Sequence, residues 1–185
     1  KFKKKVYKQA FWDRYKLDEG TSVIYYTGKN LEKTGFIQFL EFVGNLYAEN
    51  FITAITASPD QVETIKELLQ ELNMQDKVIV AQEDLFRVAD VFILPTTNKT
   101  FSNNVLKAMA CKNVVFLPKL NHAFELLDNF SIMATPDEAA TVHKVNMLIQ
   151  NKEEMKKIQK QNYKLAKQYT IEQQCEKLKL ALDMI

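Results

Sequence analysis

Two rhythms of apolar positions alternate along the chain. Short apolar or β-branched runs recur at Ser22 to Thr27 (SVIYYT), Phe51 to Ala57 (FITAITA), Val78 to Ala81, Asp90 to Leu94, Asn113 to Leu117 and Phe130 to Met133. These runs have the length of buried strands, and their near-continuous apolar character suits a parallel sheet covered on both faces. Between them the spacing lengthens to three and four. Phe36, Phe39, Leu40, Val43 and Leu46 form one helical stripe, and Val62, Ile65, Leu68, Leu69 and Leu72 a second. Val105, Leu106, Ala108, Met109 and Cys111 form a third, and Ala139, Val142, Val145, Met147 and Leu148 a fourth. Ser58-Pro59 and Thr135-Pro136 each set a capping residue before a first-turn proline, so helices are predicted to begin there. Short helices are predicted over Glu83 to Ala89 and His122 to Leu127. Residues 151–185 read as charged C-terminal helices carrying Met155, Ile158, Leu165, Cys175, Leu178, Leu182 and Ile185. Six strands alternating with helices predict an α/β fold with a doubly wound parallel sheet in the order 3-2-1-4-5-6. Its ligand crevice belongs where strands 1 and 4 diverge.

Two polar loops follow those two strands. The first runs from Gly28 to Gly35. The second, Thr96 to Thr100, comes after Pro95, which ends strand 4 because it has no N–H to give to a ladder. Ser102, Asn103 or Asn104 can then cap a helix. Strand, polar loop and capped helix start together make an anion site at the carboxyl end of a sheet.

Composition narrows the classes. The 185 residues are 46% hydrophobic and 26% charged, an ordinary balance for one globular domain spanning 1–185. A net charge of +2 argues for neither nucleic acid nor a strongly acidic partner. Cys111 and Cys175 sit in helical patterns beside apolar neighbours, which reads as buried free thiols in a reducing cytoplasm. Two histidines without paired ligand spacing argue against a metal centre. No apolar run approaches the roughly 20 residues that span a bilayer. Lys1 as first residue, with no half-sheet before it, suggests a domain cut from a longer protein, residues 1–20 being its entry segment. That segment begins KFKKKVYKQAFWDRYK. Its lysines and aromatics can lie on an anionic membrane surface, as a peripheral contact. Its helical spacing also predicts a helix packing Phe2, Val6 and Ala10 inward. Only 4 glycines occur, at 20, 28, 35 and 44, and none falls in the central loop.

The stretch Asp90-Val91-Phe92-Ile93-Leu94-Pro95-Thr96, then Lys99-Thr100-Phe101-Ser102, then Leu106-Lys107-Ala108-Met109-Ala110-Cys111-Lys112 resembles a known family. It is similar to the C-terminal domain of group-1 (family four, retaining) glycosyltransferases of the GT-B fold, which read D-V-F-V-L-P-S, E-G-F-G and L-E-A-M-A-C-G. The resemblance covers nearly the whole chain. It implies the Rossmann-like half of a GT-B fold that binds a nucleotide diphosphate sugar without a metal or other cofactor. It further implies that the acceptor site and catalytic base lie on a separate N-terminal domain, so the isolated domain is expected to be inactive and holds no catalytic residue of its own. The segment Gly28-Lys29-Asn30-Leu31-Glu32-Lys33-Thr34-Gly35 resembles the family's G-R-L…K-G, whose arginine and lysine bind the diphosphate. Lys29 stands for the arginine, while Thr34 stands where the family lysine falls, with Lys33 one step early. Lysine keeps the charge but loses the bidentate fork. The resemblance makes Ala81 and Gln82 base-contact candidates and adds Lys99, Thr100, Phe101, Ser102, Asn103, Asn104 and Lys107 to the donor site.

The family's two glutamates fall on Lys99 and Lys107. A carboxylate accepting from vicinal hydroxyls makes charge-assisted bonds worth about 1.5–3 kcal/mol each. An ammonium only donates, so Lys107 cannot take that role. Two readings result. One is the donor-binding domain of a divergent enzyme that transfers a hexosyl group to a glycan or other acceptor. The other is a non-catalytic glycosyltransferase-like subunit or chaperone that supports a catalytic protein partner.

Overall fold

The structure is a computed structural model that describes residues 3–170, together with 172, 173, 176 and 179. Phe2, Cys175, Leu178, Leu182 and Ile185, members of the helical stripes, lie outside the described residues. Among the described residues six strands form one parallel sheet in the predicted order β3-β2-β1-β4-β5-β6. These are β1 (Ser22–Thr27), β2 (Phe51–Thr56), β3 (Val78–Ala81), β4 (Val91–Ile93), β5 (Val114–Pro118) and β6 (Ile132–Met133). β1 lies near the centre, pairing with β2 from Ser22–Phe51 to Thr27–Thr56 and with β4 at Ile24–Val91 and Tyr25–Phe92. Every residue of β4 and β5 is buried, as a sheet covered on both faces requires. The covering helices are α1 (Lys4–Tyr15), α2 (Phe36–Gly44), α3 (Val62–Glu71), α4 (Asn103–Ala110), α5 (Ala139–Gln150) and α6 (Lys152–Ala166). Aromatic packing fills the middle: Tyr26 stacks on Phe39 at 4.8 Å, and Tyr25 meets Phe86 edge-on at 5.0 Å.

Both serine/threonine–proline helix starts are displaced. In Ser58-Pro59-Asp60-Gln61, Gln61 N–H donates to the Ser58 carbonyl at 2.9 Å and the Gln61 side chain accepts from Ser58 N–H at 3.1 Å. α3 therefore starts at Val62. Thr135-Pro136-Asp137-Glu138 repeats the device: the Glu138 carboxylate accepts from Ala134 N–H at 3.1 Å, and α5 starts at Ala139. A separate turn closed by its fourth residue replaces the predicted cap. Glu83 to Ala89 is not a helix either. Val88 and Ala89 both donate to the Leu85 carbonyl, closing a single turn, and Leu85, Phe86, Val88 and Ala89 are all buried. Leu72, Met147 and Leu165 are exposed where the stripes reach helix edges. Asn146 is buried instead, accepting from Tyr47 and Ala48 N–H through Oδ1. β6 starts at Ile132 because a turn at Asn129–Ser131 precedes it.

The inward face of α1 is also not the expected one. Val6 is 62% exposed and Ala10 faces solvent, whereas Lys4, Lys8, Phe11 and Trp12 turn toward the sheet. The cause is the polar amino edge of the strands. Lys4 Nζ donates to the carbonyls of Ala89, Cys111 (3.2 Å) and Lys112 (2.6 Å) and to Asn113 Oδ1 (2.9 Å). Lys8 Nζ pairs with Asp90 Oδ2 at 2.5 Å, and the same oxygen accepts from Val23 N–H at 2.9 Å. The Asp90 backbone donates to Val23 and accepts from Val114, and its carbonyl also accepts from Gln159 of α6. No helix among the described residues is long and apolar enough to cross a membrane.

Asp90→Ala is expected to lower stability by about 3–5 kcal/mol, since it strips the partner from a nearly buried ammonium. Glu154→Gln, which loses only an exposed 3.5 Å contact to Lys157, should cost under about 1 kcal/mol. Urea unfolding of the three proteins checks the contrast. Burial pushes the Lys4 ammonium from 10.5 down to about 8, with Asp90 opposing the shift and Lys8 adding to it. Between those values the unfolded chain holds more protons than the folded one, so this group's contribution to stability rises with pH from 8 to 10.5. The rise should be absent from a Lys4→Met variant measured over the same range.

Candidate functional site

The loops after β1 and β4 lean on each other. In the first, Asn30 Oδ1 accepts from Lys33 N–H at 2.8 Å, and the Asn30 carbonyl accepts from Thr34 N–H at 2.9 Å. The Thr34 hydroxyl lies 2.5 Å from the Tyr26 hydroxyl and donates to the Asn30 carbonyl. A Cβ at Gly28 would collide with the Thr34 side chain, so that position has no room for one. Gly35 adopts φ +76°, and a Cβ there would drive into the Pro95 carbonyl. Next to this approach, the Lys33 carbonyl accepts from Thr96 Oγ1 at 2.7 Å and Thr97 N–H at 3.2 Å. The second loop is held from the far side. Asn121, buried after β5, donates through Nδ2 to the carbonyls of Asn98 (2.8 Å) and Thr100 (2.6 Å), and His122 N–H donates to the Lys99 carbonyl at 3.0 Å.

The first loop borders a crevice of about 610 Å³ at the carboxyl edge of the sheet, and α4, which follows the second loop, reaches the same space. Gly28 and Lys29 form one wall and Asn104 and Lys107 of α4 another. The segment from Thr56 to Gln61 lines it beside the first loop, and Gln82 and Asp84 after β3, with Tyr25 and Phe86, complete the lining. The Tyr25 hydroxyl donates to Thr56 Oγ1 at 2.9 Å, which donates to the Glu83 carbonyl at 2.6 Å. Burial pushes the Tyr25 hydroxyl up to about 12, so it stays neutral. Gln61 Nε2 ties α3 to the first loop by donating to the carbonyls of Lys29 (2.9 Å) and Gly28 (3.3 Å). Ser102 occupies the N-cap of α4 without a side-chain cap bond, and the first turn carries no acid. The free N–H groups of that turn, with Lys29 and Lys107, make one side of the crevice cationic. Asp60 and Asp84 add two carboxylates to the same lining.

Of the residues singled out from sequence, the structure brings Gly28, Lys29, Gln82, Asn104 and Lys107 together at the crevice. Ala81, Lys33, Thr34, Lys99, Thr100, Phe101, Ser102 and Asn103 lie outside its lining. Ala81 is buried in β3, and Thr34 is engaged inside its own loop. Lys99 and Thr100 follow the second loop as it folds back onto Asn121 and His122. Sequence reasoning missed Thr56, Asp60, Gln61 and Asp84. Their signal was position, because each comes at or after the end of a strand that finishes at this same edge.

The chain matches the family described as "Glycosyl transferases group 1" over residues 8–165. No curated protein matches the sequence. Among solved structures, HepE of Anabaena in complex with UDP-glucose superposes with a TM-score of 0.79 at 12% identity, covering 96% of this chain and 52% of HepE. Sucrose-phosphate synthase of Thermosynechococcus elongatus gives 0.76 at 15%, covering 94% and 48%. The C-terminal domain of a group 1 glycosyl transferase (LpcC) from Francisella tularensis gives 0.70 at 19%, covering 88% and 92%. At these identities the likeness carries the fold. The chain spans about half the length of HepE and of the sucrose-phosphate synthase.

Gly35→Ala should destabilise the protein by about 1–3 kcal/mol or more, from positive φ and the collision with Pro95. Gly44→Ala, at the end of α2 with nothing within 4 Å of its added Cβ, should be neutral or stabilising by up to about 1 kcal/mol. Thermal and urea unfolding of the pair measure the difference.

Proposed function

We propose, from the premise that the chain belongs to the group 1 glycosyl transferases, that its crevice receives a nucleotide diphosphate sugar, the donor for transfer of a hexosyl group to a glycan or other acceptor. The observation that carries this reading is the meeting of Lys29, Asn104 and Lys107 over the open N-terminus of α4, between the diverging strands β1 and β4. The diphosphate lies against that cationic side, where ammonium and N–H groups donate to its oxygens. The carboxylates of Asp60 and Asp84 accept from the hydroxyls of ribose or sugar, and Gln82 stands where the base arrives. The acceptor site and catalytic base belong to a further domain of a longer protein, so this domain alone binds donor without turning it over. HepE, with UDP-glucose bound, supports the choice of donor class.

A second reading rests on Lys107. It lines the crevice from an α4 whose first turn has no acid, so no carboxylate on that helix grips a diol. This favours a glycosyltransferase-like subunit that supports a catalytic partner and retains only a weakened site.

Calorimetric titration with UDP-glucose separates the two. Under the first reading the wild type binds, and Lys29→Ala and Lys107→Glu each weaken binding by about tenfold to a hundredfold, from one lost charge-assisted bond to the diphosphate. No heat from the wild type would favour the second.

A further inference from the structure

We propose that a second cavity, at the opposite edge of the sheet between α1 and α6, binds a phosphate-bearing anion. It has a volume of about 420 Å³ and lies at the amino ends of β1 and β4, beside Gly20 and Asp90. The length of β1, about 20 Å for six residues, separates it from the donor crevice, and the two sites stand or fall independently.

Charge sets this cavity apart. Lys4, Lys5, Lys8, Lys152 and Lys156 line it, against only Asp90 and Glu19. Asp90 is already engaged by Lys8 and by Val23 N–H. The Lys4 ammonium is satisfied by carbonyl oxygens, which are dipoles and leave its charge uncancelled. Lys152 Nζ donates to the neutral hydroxyl of Ser22. Burial pushes its ammonium below the ordinary lysine value; Asp90 opposes this and Lys8 reinforces it. Lys5 and Lys156 have no ion pair among the described residues and are exposed at the rim. Five lysines thus line one partly enclosed space that holds only two carboxylates, and like charges at close range in a medium poorer than water repel strongly. A ligand carrying two negative charges and several acceptor oxygens relieves that repulsion, and phosphate is the common group with both properties. Lysine is a point-charge phosphate binder, and the volume admits a phosphate ester or a pyrophosphate. The same chemistry is presented by a soluble phosphate ester and by an anionic phospholipid headgroup. Val6 and Tyr7, exposed on the outer side of α1, could meet lipid beside the latter.

The protein contains 1 tryptophan, Trp12, and it forms part of the cavity wall. Its ring is fixed by a 3.1 Å bond from Nε1 to the Thr21 carbonyl and has Lys8 Nζ 4.8 Å from its centroid. Its fluorescence therefore reports occupancy. One arm titrates the protein with pyrophosphate at constant ionic strength; the other uses vesicles of phosphatidylcholine with and without phosphatidylglycerol. A saturable Trp12 signal is expected in at least one arm. It should weaken at least tenfold in a Lys5→Gln/Lys156→Gln double variant, whose changes are exposed and leave the fold intact. It should be unaltered by Lys29→Ala at the other edge. Saturation by pyrophosphate identifies a soluble ligand, and saturation only by phosphatidylglycerol vesicles identifies a headgroup; both uphold an anion site. No saturable signal in either arm, a signal that chloride salts reproduce, or one indifferent to the double variant overturns the proposal.

Discussion

A single carboxylate, that of Asp90, sits where five elements meet. Its side chain takes a hydrogen bond from β1 and an ion pair from α1, while its backbone bonds to β1, β5 and α6. Taking a carboxylate out of water is unfavourable unless its lone pairs are filled, and here an N–H and an ammonium fill them. The geometry that results fixes β4 beside β1 and docks α1 by its lysines rather than by an apolar stripe. Asn113 repeats the pattern one strand further on, donating to the Phe86 carbonyl and accepting from Lys4, while its own carbonyl accepts from Asn162 of α6. The amino edge is thus a polar seam, buried because every member is paired.

Once β1 and β4 are neighbours, their carboxyl ends must deliver two loops to the same place. Gly35 lets those loops touch, since only a residue without a Cβ can lie against the Pro95 carbonyl at that backbone angle. The contact leaves the crevice to open on the other side, toward β2 and β3, and α4 presents its uncapped start to it. The chemistry of the crevice therefore depends on strand order: the amino edge sets the neighbours, and the neighbours set which side chains converge.

Much of this was legible in the sequence. The apolar runs gave the sheet, and β1 and β3 were read to the residue because their edges are marked by polar or turn residues. Lys29 and Asn104 could be placed because a doubly wound sheet gathers the loops and helix starts behind strands 1 and 4 into one crevice, and Lys107 through the family resemblance. Three things were not legible, each for a physical reason. The inward lysines of α1 obey their hydrogen bonds, which apolar periodicity does not encode. The turns SPDQ and TPDE look like helix starts because serine or threonine before proline suits both, and only the fourth side chain, bonding backward, decides for a turn. The fold-back of Lys99 and Thr100 depends on Asn121, a contact between distant loops that no local pattern announces. Asp60 and Asp84 follow β2 and β3, and no motif marks either carboxylate as part of the crevice that those strand ends border.

Nucleotide-sugar binding in the carboxyl-edge crevice is the central claim. The most direct measurement is amide chemical-shift mapping of the ¹⁵N-labelled protein during addition of UDP-glucose. Saturable shifts are predicted to cluster at Gly28, Lys29, Ser58, Gln82, Asn104 and Lys107, whatever shifts accompany them at Trp12 and Lys156 of the far edge. Shifts confined to that far edge, or none at all at millimolar ligand, would contradict it.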